Sequence, residues 1–380
     1  MSKDLLGRMA LDGPFARPTR RQATLGLAGA SALGVAGLGA RPARAATTLQ
    51  WMGWQGYDEC YGVGTFLADN GITLEKTYIN ANEEIITKLQ GGGVGSIDLI
   101  TMYFGYLPIM AEAGLLEPFD PAKATNAANV IPQFMNAEPL RWNGDLYGVP
   151  WTWGFLPMMY DPAAIATPTS WMDVMKEEHK GKVVMIHDPL GNLQVWGKVV
   201  NPEVAHATQL SHDQLIKTID FMIDIKKNHA RAFATSYGEA SDMFARGEVV
   251  ISALGWEAMV GFAGAAGKVI DFVIPQEGTT MYMDCLCIPK DSPNPDAAYG
   301  LANHCLSVEG QQKIVEVLTQ GITNLEAIKT TAPEHQAIYS YDNIDALLQT
   351  ARMEPMPPTE EGEYATYDDF LEEYDRLLKA

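Results

Sequence analysis

The chain has 380 residues, 47% hydrophobic and 19% charged, and its 27 basic against 47 acidic residues leave a formal charge of −20. So acidic a surface repels a phosphate backbone and excludes nucleic acid as a partner. The length exceeds one compact core and predicts two domains.

Residues 1–45 read as an export leader. Arg20 and Arg21 stand just ahead of an uncharged, Gly- and Ala-diluted apolar stretch, Leu25 to Leu38, and Ala43-Arg44-Ala45 offers a small-x-small cleavage site. This is a twin-arginine layout, although Ala23 stands where a bulky apolar residue is usual. An ordinary secretory signal is the alternative, and both export the protein. The stretch is too short for a membrane span, and no Cys follows it to carry a lipid. Cleavage removes seven basic and two acidic residues and moves the formal charge to −25.

After the leader the pattern alternates strand and helix. Leu49 to Met52 predicts a strand, Tyr57 to Asn70 a helix closed by Gly71, and Ile72, Leu74 and Tyr78 a second strand. Asn82 caps a helix carrying Ile85, Ile86 and Leu89; Gly91 to Gly93 form a turn, and Ile97 to Ile100 a third strand. A second series runs through Lys182 to Ile186, a helix from His212 to Lys227, Val249 to Ile251 and Val269 to Ile274. Two α/β lobes, each with a mostly parallel sheet and flanking helices, are the expected fold class.

The sequence offers little for catalysis. The Gly91 to Ser96 turn lacks a Gly-Lys-Ser/Thr ending and follows a helix, so it is no phosphate loop. The seven histidines are scattered, and His206 and His212 lack zinc-site spacing, so neither a metal nor a cofactor is expected. No nucleophile elbow or Cys/His pair stands out. Cys285 and Cys287 share a strand face and cannot easily bridge each other, while Cys60 and Cys305 are isolated in sequence. A disulfide using either of these two and buried free thiols both remain open.

From Trp51-Met52-Gly53-Trp54-Gln55-Gly56-Tyr57 onward the chain resembles the spermidine/putrescine-binding receptors of bacterial ABC importers, within the extracellular solute-binding proteins. The landmarks follow in order: Trp54 with Tyr57, Asp98-Leu99-Ile100, Tyr147 to Pro150 with Trp153-Gly154, Thr169-Ser170-Trp171 before Lys180-Gly181, Gly247-Glu248-Val249, and Met283-Asp284 ending at Ile288-Pro289. The resemblance implies a two-lobed periplasmic binding protein that closes on a ligand, hands it to an inner-membrane permease, works as a monomer and catalyses nothing. It also implies crossings between lobes near Trp153 to Tyr160 and Tyr282 to Ile288. Lobe one would be 47–153 plus 283–328, and lobe two 154–282 plus 329–380.

The resemblance carries a site with it. Trp54, Tyr57, Trp256 and Tyr282 match rings that sandwich a ligand's methylenes, Asp284 matches an ammonium partner and Asp188 a second carboxylate position; Tyr103 and Tyr106 would line the same cleft. Trp151, Trp153 and Trp196 are as readily core. Two departures alter the expected ligand: Gly191 stands where a Glu grips a distal ammonium, and Met259 stands where putrescine-type receptors carry an Asp. The late Gly-Tyr-x-x-x-Asn stretch is altered as well, reading Gly321-Ile322-Thr323-Asn324. These departures favour a small amine with one dominant charge, such as a monoamine, an ω-amino acid or a quaternary ammonium, over putrescine or spermidine, unless Glu257 or Asp188 substitutes. A periplasmic enzyme or a ligand sensor on the same scaffold is the alternative from another class.

Overall fold

The structure is a computed structural model and describes residues 46–345 and 351–380. The expected leader lies outside the described residues. Among them, no helix is long and apolar enough to cross a membrane.

Among the described residues, fourteen strands form two large sheets and one small hairpin. They are β1 (Thr47–Trp54), β2 (Ile72–Ile79), β3 (Leu99–Tyr103), the hairpin β4 (Arg141–Trp142) and β5 (Asp145–Leu146), β6 (Val149–Phe155), β7 (Met158–Tyr160), β8 (Val183–Ile186), β9 (Ala230–Ala234), β10 (Ile251–Ser252), β11 (Asp271–Val273), β12 (Thr279–Cys287), β13 (Gly321–Ile322) and β14 (Ala351–Arg352). The first sheet has the order β13-β6-β12-β3-β1-β2, with β14 beside β12, and the second β11-β7-β10-β8-β9.

Each sheet is parallel where its own βαβ units build it and antiparallel where the chain crosses between lobes. β1 pairs in parallel with β2 and β3, and β8 with β9 and β10. β12 runs antiparallel to both β3 and β6, and β7 to β10 and β11. The crossings themselves are short: β6 leads into β7 through two residues, and β12 returns from β11 through five, each link carrying the chain from one sheet to the other.

β12 carries the site at its centre. It is buried along its whole length, covered by β3 on one edge and β6 on the other. Its register with β6 slips after Asp284, where Asp284 faces Thr152 but Cys285 faces Pro150, leaving Trp151 as the extra residue. Pro150 has no N–H for the ladder, and bulges of this kind re-aim side chains beside functional sites.

The expected helix over Tyr57 to Asn70 is broken into a 3-10 turn, Tyr57–Cys60, and a short helix, Phe66–Asp69. Gly62 and Gly64 lie between them at φ 66° and 69°, in the left-handed region that no helix interior allows. All four cysteines are buried free thiols. Trp151, Trp153 and Trp196 are fully buried; the indole N–H of Trp153 donates to the Ile322 carbonyl and that of Trp196 to the Ala253 carbonyl.

After Ile328 the chain first packs on the first sheet and the crossing strands. Tyr339 meets Trp153 edge-on and stacks on Phe155, and β14 extends the sheet beside β12. The last helix, Tyr367–Lys379, then reaches the second lobe, where Arg376 pairs with Asp220 of helix His212–Asp224 at 2.7 Å.

Candidate functional site: an aromatic cleft with two carboxylates

The cleft gathers side chains from the carboxyl ends of strands in both sheets, where open α/β folds place ligands. β1 ends at Trp54, and Gly56 at φ 94° turns the chain so that Tyr57 opens the following 3-10 turn. β3 ends at Tyr103, and β12 contributes Tyr282 and Asp284. From the second sheet, β8 leads to Asp188, β9 to Tyr237 and β10 to Trp256. With Asn82, Leu156, Leu190, Gly191 and Gln194 these residues line one cavity.

Rings form most of its wall. Trp256 lies 6.4 Å from Trp54, 5.7 Å from Tyr57 and 5.5 Å from Tyr237, centroid to centroid, and Tyr237 meets Trp54 edge-on at 6.1 Å. Such a wall offers apolar faces to methylenes and negative ring faces to a cation.

Two carboxylates look into this wall. The Tyr57 hydroxyl donates to Asp284 Oδ2 at 2.5 Å, and burial pushes the Asp284 carboxyl up to about 7, against the lowering effect of that hydrogen bond and with a smaller push from Asp188. Asp188 caps helix Pro189–Val200, accepting the Gly191 N–H at 2.9 Å and the Tyr237 hydroxyl at 2.6 Å. Burial raises its carboxyl as well, despite both hydrogen bonds. A helix N-terminus repels a cation, so a bare one here would oppose amine binding; the Asp188 cap reverses the local sign. Among the described residues neither carboxylate forms an ion pair. Burial holds the Tyr57, Tyr237 and Tyr282 phenols well above their usual range, so all three stay donors.

Trp54, Tyr57, Tyr103, Asp188, Trp256, Tyr282 and Asp284 are therefore brought to one cavity. Tyr106 is not. It sits at the start of helix Leu107–Glu112, past the end of β3, and its hydroxyl turns away to Glu83 at 2.6 Å and to Tyr367 at 3.0 Å. Glu257 does not face the cavity either; it is fully buried behind the Trp256–Tyr282 wall. Sequence reasoning missed Tyr237, Gln194, Asn82, Leu156 and Leu190. Tyr237 had one available signal: Ser236 caps the helix Tyr237–Ala245 that follows β9, but β9 itself, Ala-Arg-Ala-Phe-Ala, contains no β-branched residue to announce a strand.

Residues 63–338 match the bacterial extracellular solute-binding protein family. The chain belongs to that family. This solute-binding protein is 28% identical over 316 residues to the spermidine/putrescine-binding periplasmic protein of Escherichia coli, covering 81% of this chain and 85% of that one. It is 25% identical over 341 residues to a putrescine/cadaverine-binding protein of Pseudomonas aeruginosa, covering 84% and 90%. Among solved structures it superposes on a spermidine/putrescine ABC transporter substrate-binding protein from Streptococcus pneumoniae with a TM-score of 0.66 at 21% identity, over 87% of this chain and 98% of that one. The shared fold is the two-lobed periplasmic binding protein fold.

Gly191 can be tested within this solute-binding protein. A Cβ there would sit 2.7 Å from Asp188 Oδ2 and 2.9 Å from Leu156 Cδ1, so the carboxylate held by Tyr237 would have to move. Gly191→Ala is expected to weaken ligand binding by about three- to tenfold, less than the loss of a whole charge-assisted hydrogen bond because Asp188 is displaced and not removed. Calorimetry checks it, and unchanged affinity would mean that Asp188 does not contact the ligand.

Proposed function

We propose that this solute-binding protein is a periplasmic polyamine receptor of an ABC importer, binding a diamine or triamine such as putrescine or spermidine between its lobes and presenting it to a membrane permease. One observation carries the reading: Asp188 and Asp284 line the same ring-walled cavity, and neither forms an ion pair among the described residues. Two buried carboxylates without a cation are costly, and a dication with apolar methylenes between its charges relieves both at once. The names of the Escherichia coli and Pseudomonas aeruginosa relatives support the same ligand class.

Gly191 and Met259 favour a second reading, a ligand with one main charge. Met259 is fully buried and outside the cavity lining, and Asp188 offers the second anion that Gly191 does not. The polyamine reading is therefore preferred. A thermal-shift panel separates the two: putrescine and spermidine are expected to raise the melting point strongly, and betaine, choline and γ-aminobutyrate little. The reverse order would favour the single-charge ligand.

Binding should also depend on pH with a defined sign. In the ligand-free protein the Asp284 carboxyl keeps its proton up to about pH 7, and an incoming ammonium must displace it. Affinity is expected to rise with pH up to about 7, changing up to about tenfold per unit below that point for one linked proton. The raised Asp188 makes the acid limb steeper. Equal affinity at pH 5 and pH 8 would remove Asp284 from contact with the ammonium.

A further inference from the structure

Behind the ring wall lies a carboxyl group that the cleft itself does not use. Glu257 follows Trp256 directly and is fully buried. Its Oε1 accepts the Phe155 N–H at 2.6 Å, at the end of β6 where the chain leaves the first sheet, and its Oε2 accepts the Tyr282 hydroxyl at 3.1 Å, on the returning strand β12. The Tyr282 oxygen in turn accepts the Trp256 indole N–H at 3.0 Å. One side chain of the second lobe thus holds both crossing strands and, through Tyr282, the Trp256 ring. The space is closed around it: a Cβ on Gly154 would lie 2.5 Å from both Glu257 Oε1 and the Tyr282 hydroxyl oxygen.

We infer that Glu257 is a positioning residue, which touches no ligand but fixes the Trp256 and Tyr282 rings and fastens them to the two strands on which the lobes join. This rests on reading the cleft as the ligand site. Burial pushes the Glu257 carboxyl up to about 8, against hydrogen bonds that lower it. The titratable groups facing it are Tyr282 on β12 and Tyr339 on helix Pro333–Tyr339, whose hydroxyl lies 3.5 Å from Oε1 and donates to the Thr319 carbonyl at 2.6 Å. Tyr237 stands farther off on helix Tyr237–Ala245, and Asp284 and Tyr57 lie beyond Tyr282. Burial keeps all four phenols neutral, and among the described residues no Lys, Arg or His pairs with Glu257. The proton therefore stays on the carboxyl near neutral pH, and its loss above pH 8 leaves a buried charge without an ion-pair partner at the point where the rings are held.

Two readouts test this in the full-length protein. In the ligand-free state, tryptophan fluorescence between pH 6 and 10 is expected to show a transition near pH 8 in the wild type that is absent from both Glu257→Gln and Trp256→Phe. In calorimetry with putrescine at pH 7, Glu257→Gln should bind within about threefold of wild type, whereas Glu257→Leu, which leaves the Phe155 N–H and the Tyr282 hydroxyl unpaired, should bind at least about tenfold more weakly. Glu257→Gln should also lose the part of the alkaline decline that exceeds the amine's own titration, which both proteins share. Persistence of the fluorescence transition in Glu257→Gln overturns the inference, as does wild-type binding by Glu257→Leu. If Glu257→Leu does not fold, the fluorescence comparison decides alone. If wild-type protein binds neither putrescine nor spermidine, the polyamine reading falls, and the fluorescence comparison still decides the role of Glu257.

Discussion

Replacing Asp284 by Asn is expected to weaken putrescine binding by about 10- to 100-fold, the worth of one charge-assisted hydrogen bond, while leaving the ligand-free protein folded. The side chain is 3% exposed and its one hydrogen-bond partner among the described residues is the Tyr57 hydroxyl. An Asn oxygen can take the same bond, so nothing in the fold is orphaned. Linkage makes a second demand. Asp284 titrates at about 7 in the folded protein and near 4 when unfolded, so its favourable contribution is complete below about pH 4 and is lost as pH rises through 7. The Asn variant lacks that loss. Ligand-free Asp284→Asn should therefore gain stability over wild type between pH 4 and pH 8, by at most about 4 kcal/mol for a shift of three units. A variant that binds more weakly yet melts higher at pH 8 is the signature of a carboxylate kept for a cation. A variant that binds normally, or melts lower at pH 8, is not.

Replacing Trp256 by Ala is expected to cost both affinity and stability. The ring is 6% exposed and packs against Trp54, Tyr57, Tyr237 and Phe262, and its N–H supplies one partner of Tyr282. Truncating so large a buried side chain typically costs about 3 to 5 kcal/mol of stability. Removing the face that covers a ligand's methylenes and cation should weaken binding by about 100-fold, from roughly 0.8 kcal/mol per exposed CH₂ plus the cation–π contribution. Thermal melting and calorimetry on the same sample check both. Loss of stability with undiminished affinity would mean that Trp256 is core and not wall.

Much of this was legible in the sequence, for reasons that differ by element. β8, Val-Val-Met-Ile, is an unbroken apolar run buried along its length, as a parallel strand covered on both faces reads, whereas β2 announces itself by Ile72, Leu74 and Tyr78 at strand spacing. The helix His212–Asp224 carries its own start signal in the Ser211 and Gln214 capping box. The short strand β13 owes its form to pairing with β6, which no local pattern records, whereas the apolar stretches Val249 to Ile251 and Val269 to Ile274 announce β10 and β11. Asp188 and Asp284 could be picked out only through the resemblance, because a lone Asp after a strand is as often a cap. Asp188 is in fact both, since the oxygens that face the cavity also close the helix. Tyr106 went the other way: it lies three residues beyond Tyr103, but the turn after β3 rotates it out of the cleft toward Glu83. Glu257 was weighed as a ligand contact because of its charge, and only three-dimensional packing puts it behind the wall.

The central claim is that the cleft takes two positive charges at once. Isothermal titration at pH 8 with putrescine and with butylamine, which has the same four-carbon chain and one ammonium fewer, tests it most directly. Putrescine is expected to bind at least about tenfold tighter in wild type, the worth of one further charge-assisted contact, and Asp188→Asn should erase most of that advantage. Equal affinities for the two amines in wild type, or an advantage untouched by Asp188→Asn, would contradict the two-carboxylate account.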